Sequence, residues 1–415
     1  MKKTVLFWLF IVFLLAAGLI AVTYFHKDRS KKLVFWSIQL KPVYEKQMYD
    51  IIKVFEKNNP QYKVTWVDIP IQEAQKRTLA SILSSNPPDI VNLNPDFSII
   101  LAQKNALYNF TEKDTAEYLP ALVNKLKYNG KIYALPFYAT SPVTIYNKDI
   151  YNKCVGSNFI KSYSELDNVA EKLNNCSKIP VFSGSINEND NLSKILNKYN
   201  VYDLNSDYQI QKTVELYSLF NSLYKSNKLP KDILSINHRE NIEKYMSNQA
   251  LIIVAGSNFI NMIKQNAPEI YSKSEISQQL TGDNEKYDVS LMNLIIPSKS
   301  KNKKAALEFI KILTDKDNQL EFAKITNVLP ANKNALNDSY FKNCSNDLYQ
   351  KSRCIGAKQL NNLVQKDFGD ENKKLINEKI NKVLEEILLN NNAEQSDIRE
   401  KVNKLSEEVK LLQMK

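Results

Sequence analysis

The chain has 415 residues, 43% hydrophobic and 10% aromatic, which is enough for two domains with their own cores and too apolar for a disordered polymer. Its formal net charge of +11, from 56 Lys+Arg against 45 Asp+Glu, is spread along the sequence among acids and asparagines. No arginine-rich stripe or nucleic-acid motif gathers it, so the charge reads as a solvated surface and a nucleic-acid partner is not expected.

Lys2 and Lys3 precede an uncharged apolar run from Val5 to Val22, long enough to span a bilayer. A cleaved secretory signal competes, because Ala16-Ala17-Gly18 offers small residues to a peptidase. The length of the run, with no cysteine after it for a lipid anchor, favours an uncleaved signal anchor over residues 5–22. Residues 1–32 are then anchor and linker. Leu33 to Ile38 is an apolar strand, and Tyr44 to Asn58 repeats apolar residues at a helical period until Asn58-Asn59-Pro60 stops it. Tyr62 to Ile69 alternates as a strand, Gln72 to Leu83 is a second helix, and Pro88-Asp89-Ile90-Val91 opens a third strand. This β-α-β-α-β rhythm predicts a doubly wound α/β lobe.

Helices are expected at Phe97–Lys104 and Ala116–Lys125, and then the turn Asn129-Gly130. Lys131 to Leu135 reads as a strand that Pro136 should end, leaving Phe137 and Tyr138 at its mouth. Val143 to Tyr146 is the next strand. Beyond it come a helix from Ser164 with that residue as cap, the strand and turn Ile179–Ser185, and a helix over Ile210–Tyr224. Leu251–Val254 is a strand that runs into Ala255-Gly256-Ser257-Asn258, and Val289–Pro297 is a returning strand. Asn302 and Asp315 sit where helix caps belong. Two terminal helices close the chain.

GKIYALPF followed by IYNKDIY, from Gly130 to Tyr151, resembles the hinge segment of the extracellular solute-binding proteins of ABC importers. The likeness is greatest to the sugar-binding family that includes maltose-binding protein. FEKNNPQYKV and SNPPDIVNL are similar to that family's first-lobe signatures, and residues 298–336 resemble its late segment. The resemblance covers roughly residues 33–413. It implies a two-lobe periplasmic-binding-protein fold of type II, each lobe an α/β unit with a mixed, mostly parallel sheet flanked by helices. The lobes would comprise residues 33–140 plus 292–332 and 141–291 plus 333–415, joined by crossings near 139–143, 289–292 and 331–336. It further implies capture of an extracytoplasmic solute between the lobes, hinge closure, and delivery to the transmembrane subunits of a permease.

Catalysis finds no support in the residues. The chain holds only 8 glycines, none in a phosphate loop before a helix, and no HExxH, GxSxG or paired CxxC occurs. Cys154, Cys176, Cys344 and Cys354 form two sequence-local pairs far from His26 and His238, which argues against a zinc site. Of three connectivities, Cys154–Cys176 with Cys344–Cys354 is the simplest, and it fits an oxidising, extracytoplasmic compartment. Neither a metal nor a cofactor is expected. A sugar site needs aromatic faces for pyranose rings and amides or carboxylates for hydroxyls. Such residues stand at the expected strand ends: Trp36, Gln39, Tyr44, Asp68, Asn94, Asp96, Phe137 and Tyr138, with Ser257, Asn258 and Asn293 from the other lobe. Structural roles compete at several, as core for Trp36, staple for Tyr44 and cap for Asp68. Relatives usually carry a Trp after the Gly-Ser or Gly-Pro turn; here Asn258-Phe259 stands there. The alternatives are a membrane-tethered sensor or scaffold that reuses the fold and, third, an enzyme acting on glycans.

Overall fold

The structure, a computed structural model, describes residues 30–345, 347–365 and 372–413. The expected membrane segment, residues 5–22, lies outside them, and among the described residues no helix is long and apolar enough to cross a membrane. The protein is a two-domain α/β fold with mixed sheets. Two compact units result: residues up to Leu93 with 106–108 and 294–314, and residues 94–105 with 109–293 and 315 onward. Compactness thus groups residues 109–140 and 315–332 with the larger unit, whereas the expected lobe boundaries group them with the smaller.

In the smaller unit the strand Lys31–Ile38 runs parallel to both Tyr62–Ile69 and Ile90–Leu93. The helices Lys41–Asn58 and Ile71–Leu83 supply the crossovers that parallel pairing requires. Phe35 and Phe55 are fully buried and meet Phe309 of the helix Lys303–Leu313 at ring separations of 5.6 and 5.3 Å. These rings account for much of the apolar area removed from water there.

The larger unit departs from the expected mostly parallel sheet. Val143–Asn147 is antiparallel to both Ser274–Ser277 and Ile252–Ala255, and only Phe182–Ser183 lies parallel to Ile252–Ala255. That parallel pair is separated in sequence by the helices Asn191–Asn197, Asp207–Lys225 and His238–Met246, the long crossover such pairing needs. Side chains alternate across the sheet, which explains its continuous apolar runs. Tyr146, Phe182 and Ile252 enter one core cluster, while Ile145 and Ile253 enter another on the opposite face. The first cluster is completed by Tyr217 and Phe220 of Asp207–Lys225 and by the terminal helices Lys373–Leu389 and Gln395–Gln413. Ile398, Val402, Leu405 and Val409 are buried, so the last helix spends its apolar stripe within its own unit.

Local expectations fail at three places, one of them Asn302, whose side chain makes no cap bond and donates instead to Lys32 O and the Asp89 carboxylate. Pro136 does not end a strand but is the second residue of Leu135–Thr140, whose partner Leu329–Pro330 pairs at Ala139 and Tyr138. Ser164 does not cap a helix: it lies inside a 3-10 turn, Tyr163–Glu165, and its N–H donates to the Tyr199 hydroxyl at 3.0 Å. Asp315 does cap, accepting from Asn318 N at 2.8 Å. Both cysteine pairs, Cys154–Cys176 and Cys344–Cys354, are disulfide-bonded, with Cα separations of 6.1 Å in each case.

Candidate solute-binding site

A cavity of about 380 Å³ lies within the larger unit, where four loop segments meet. The chain around Thr140 and Pro142 enters it after the strand Leu135–Thr140, and Asp288, Val289 and Ser290 enter it before the strand Ser290–Ile295. Gly256 and Asn258 follow the strand Ile252–Ala255, and the polar loop 184–191 follows Phe182–Ser183. Placement of all these loops at strand ends is the usual location of a ligand site in such sheets. The loop is held from outside, because Asn381 of the helix Lys373–Leu389 donates its amide to Asn187 O at 3.1 Å and Asn189 O at 3.0 Å. A second cavity of about 370 Å³, lined by Ser164, Lys212 and Asp283, touches none of the crossing segments.

The cavity combines aromatic walls with fixed charges. Tyr163 and Phe182 lie edge to face at 6.0 Å and line it. Burial raises the Tyr163 hydroxyl's pKa, with Asp288 adding to the effect, so it remains a neutral hydroxyl. Lys198 is 1% exposed and paired with Asp288 at 3.1 Å; burial lowers its pKa against the pull of that carboxylate. Lys194 pairs with Asp190 at 2.9 Å; burial disfavours its charge, but Asp190 and Asp288 outweigh that and raise its pKa. Glu188 accepts the backbone N–H of His238 at 2.8 Å, at the start of the helix His238–Met246. Burial lowers the His238 pKa, and Glu188 opposes this in part. Its ring lies edge to face with Phe259 at 4.8 Å. Carboxylates and amides here can accept from or donate to hydroxyls, and Tyr163 and Phe182, 4% and 2% exposed, form an apolar backing to the wall. Among the described residues no three His, Cys, Asp or Glu are grouped to hold a metal.

Of the residues singled out from sequence, Asn258 lines this cavity and is exposed, with Ser257 next to it half-buried. Several of the others are engaged within the fold. Phe137 is fully buried, stacked on Phe322 at 5.2 Å, and Tyr138 packs on the same ring at 5.3 Å while half-buried. Asn293 is fully buried and donates to Ser98 Oγ at 2.7 Å. Asn94 caps the helix Pro95–Gln103, accepting from Phe97 N at 2.9 Å, and exposed Asp96 pairs with Lys373 at 2.9 Å. In the smaller unit Asp68 accepts from the N–H groups of Leu40 and Lys41, both at 3.0 Å, and from Ser37, so its carboxylate fixes the start of Lys41–Asn58. Tyr44 is 1% exposed within that helix. Trp36 is half-buried in its strand, and Gln39 is exposed with φ of 51° at the turn after it. Tyr163, Glu188, Asp190, Lys194, Lys198 and Asp288 were not anticipated. The signal available for them was the polar, Asn- and Asp-rich stretch 187–191 between a strand and a helix, a pattern typical of binding loops.

Residues 50–346 match the family model described as bacterial extracellular solute-binding protein. The chain belongs to that family. A protein of Synechococcus sp. MITs9220, described as an oligosaccharide periplasmic-binding protein, superposes with a TM-score of 0.76 at 23% identity over 92% of this chain and 99% of its own. The GacH receptor of Streptomyces glaucescens, solved unliganded and with acarbose, gives 0.69 at 17% identity, covering 92% and 98%. The Listeria monocytogenes ABC substrate-binding protein Lmo0181, in complex with cycloalternan, gives 0.67 at 19%, covering 92% and 99%. A Brucella abortus protein described as a binding protein is 23% identical over 320 residues, 71% of this chain and 74% of that one. These likenesses establish the fold, and membership of the family implies an extracytoplasmic solute-binding protein.

Proposed function

We propose that the chain captures a sugar or oligosaccharide and hands it to the transmembrane subunits of an ABC permease, with no covalent step. The observation that carries the ligand class is the lining of the 380 Å³ cavity, where Tyr163 and Phe182 stand beside carboxylates and amides. A polar lining backed by buried rings suits a polyhydroxylated ring. The acarbose and cycloalternan complexes of GacH and Lmo0181 support the same class. Ser257 and Asn258 are proposed ligand contacts of the larger unit, and Trp36 and Gln39 of the smaller. The lobe boundaries of 33–140 plus 292–332 and 141–291 plus 333–415 belong to the proposal, as does closure stabilised by contacts made only in the closed state. Residues 5–22 are proposed to keep the chain on the outer face of the membrane.

A thermal-shift screen of sugars, polyols and glycerol phosphates on the full-length protein tests the ligand class. A cognate solute at 100 times its Kd adds about 2.7 kcal/mol of native-state stability. A rise in Tm with an oligosaccharide supports the proposal. No shift with any sugar, beside a clear shift with another solute class, overturns it.

A further inference from the structure

Lys198 faces the cavity, yet it has nothing left to offer a ligand. Its ammonium donates to Gln279 Oε1 at 2.9 Å and to Leu280 O at 2.8 Å, and pairs with Asp288 Oδ2 at 3.1 Å. A lysine has three N–H bonds, and all three are committed. Gln279, 2% exposed, is used as completely. Its amide donates to Ser141 Oγ at 3.1 Å and Asp288 O at 2.8 Å, and its carbonyl also accepts Asp288 N at 3.1 Å. Gln359 locks the other side, donating to Ser141 Oγ at 2.8 Å and Pro142 O at 2.9 Å while accepting Gln279 N at 2.8 Å. One amide thus holds Ser141, on the expected crossing near 139–143, and Asp288, just before the one near 289–292, and Lys198 fastens that amide to the cavity wall.

We infer that Lys198 is a positioning residue whose buried ammonium clasps the segments 139–143 and 288–291 together through Gln279, and so couples solute capture to hinge movement. The inference rests on the solute-capture reading. Asp288 is the link: its carboxylate lines the cavity, and its backbone N–H and C=O are both bound to Gln279. A solute that engages the carboxylate pulls on a network in which each member's partners are shared, so the two segments respond as one. A lysine kept only for the fold would not need its ammonium placed at this junction.

Hydrogen exchange on the full-length Lys198→Met and Asp288→Asn proteins tests this without any ligand. Amides of 139–143 and 288–291 are expected to exchange about tenfold faster than in the parent, with the strand Ile252–Ala255 unchanged, since local opening and global unfolding are separable. Affinity for whichever sugar the thermal screen identifies is expected to fall about tenfold alongside. A uniform rise across the larger unit means Lys198 only supports the fold and overturns the clasp. So does unchanged exchange in both segments. Should Lys198→Met not fold, Asp288→Asn decides alone, because that side chain is partly exposed and its loss leaves Lys198 two partners. If no sugar binds even the parent, the solute reading fails while the exchange result still stands or falls by itself.

Discussion

Each unit buries a charged hub among its described residues, Asp89 in the smaller and Lys198 in the larger, and the two are satisfied in different ways. In the smaller unit Asp89 is 5% exposed and has no cation among its bonded partners. It accepts from Val34 N at 2.9 Å, Ser300 Oγ at 2.6 Å and Asn302 Nδ2 at 3.2 Å. In the larger unit Lys198 meets a carboxylate, and that carboxylate lines a cavity. Asp89 joins a strand, a strand start and the turn before a helix, all within a core, and neutral donors suffice to hold it. The Lys198 hub stands at the wall of the cavity and joins irregular segments. The lesson is that a buried charge with neutral partners marks a fixed junction, whereas a buried ion pair that reaches a cavity can be perturbed from it.

The largest expected effect comes from breaking the fixed hub. Asp89→Ala strands the Val34 N–H and the Ser300 and Asn302 side chains, each costing about 1–3 kcal/mol when left unpaired in a buried site. A loss of about 3 kcal/mol or more in denaturant melting is expected, with solute affinity of the folded fraction unchanged. A change in affinity would erase the distinction between the hubs.

Lys198→Met is expected to cost less, about 1.4 kcal/mol of local opening at 139–143 and 288–291 with global melting nearly unchanged, because Asp288 retains partial solvent access once its partner is gone. Adding Asp288→Asn should restore part of that stability, since no unpaired charge then remains. A strictly additive double mutant would show that the two side chains do not act as a pair.

The smallest effect sharpens the electrostatic side of the comparison. Burial lowers the His238 pKa below its ordinary 6.5, so as pH falls the unfolded chain takes up this proton first. Stability contributed by neutral His238 is therefore present above pH 6.5 and is lost as pH drops through 6.5 toward the lower folded value. Tm measured from pH 7.5 to 5 should fall less steeply in His238→Asn than in the parent. Equal slopes would mean that burial does not act on this ring.

Much of the fold was legible because it is local. The strand Tyr62–Ile69 has the bounds its alternation predicts, and the helix Lys41–Asn58 follows the apolar spacing of Met48, Ile51, Ile52 and Phe55, all buried. Hydrophobic period, caps such as Asp315 and the motif around Gly130–Tyr151 depend on neighbours in sequence, so one chain suffices to read them. The resemblance carried the family in the same way.

The cavity was not legible, because it is assembled from positions far apart in sequence. Lys198 meets Asp288 across 90 residues, and whether a lysine is solvated or clasped depends on what the fold lays over it. The strand-end rule selected Asn258, which lines the cavity, but also Phe137, Asn293 and Asp68, which packing, a buried hydrogen bond to Ser98 and a helix start engage. Sequence by itself determined the elements, their order and the family, since those follow from backbone periodicity and short-range bonding. Which polar side chains face the cavity was decided only by tertiary structure, because burial and partner choice are properties of the assembled chain.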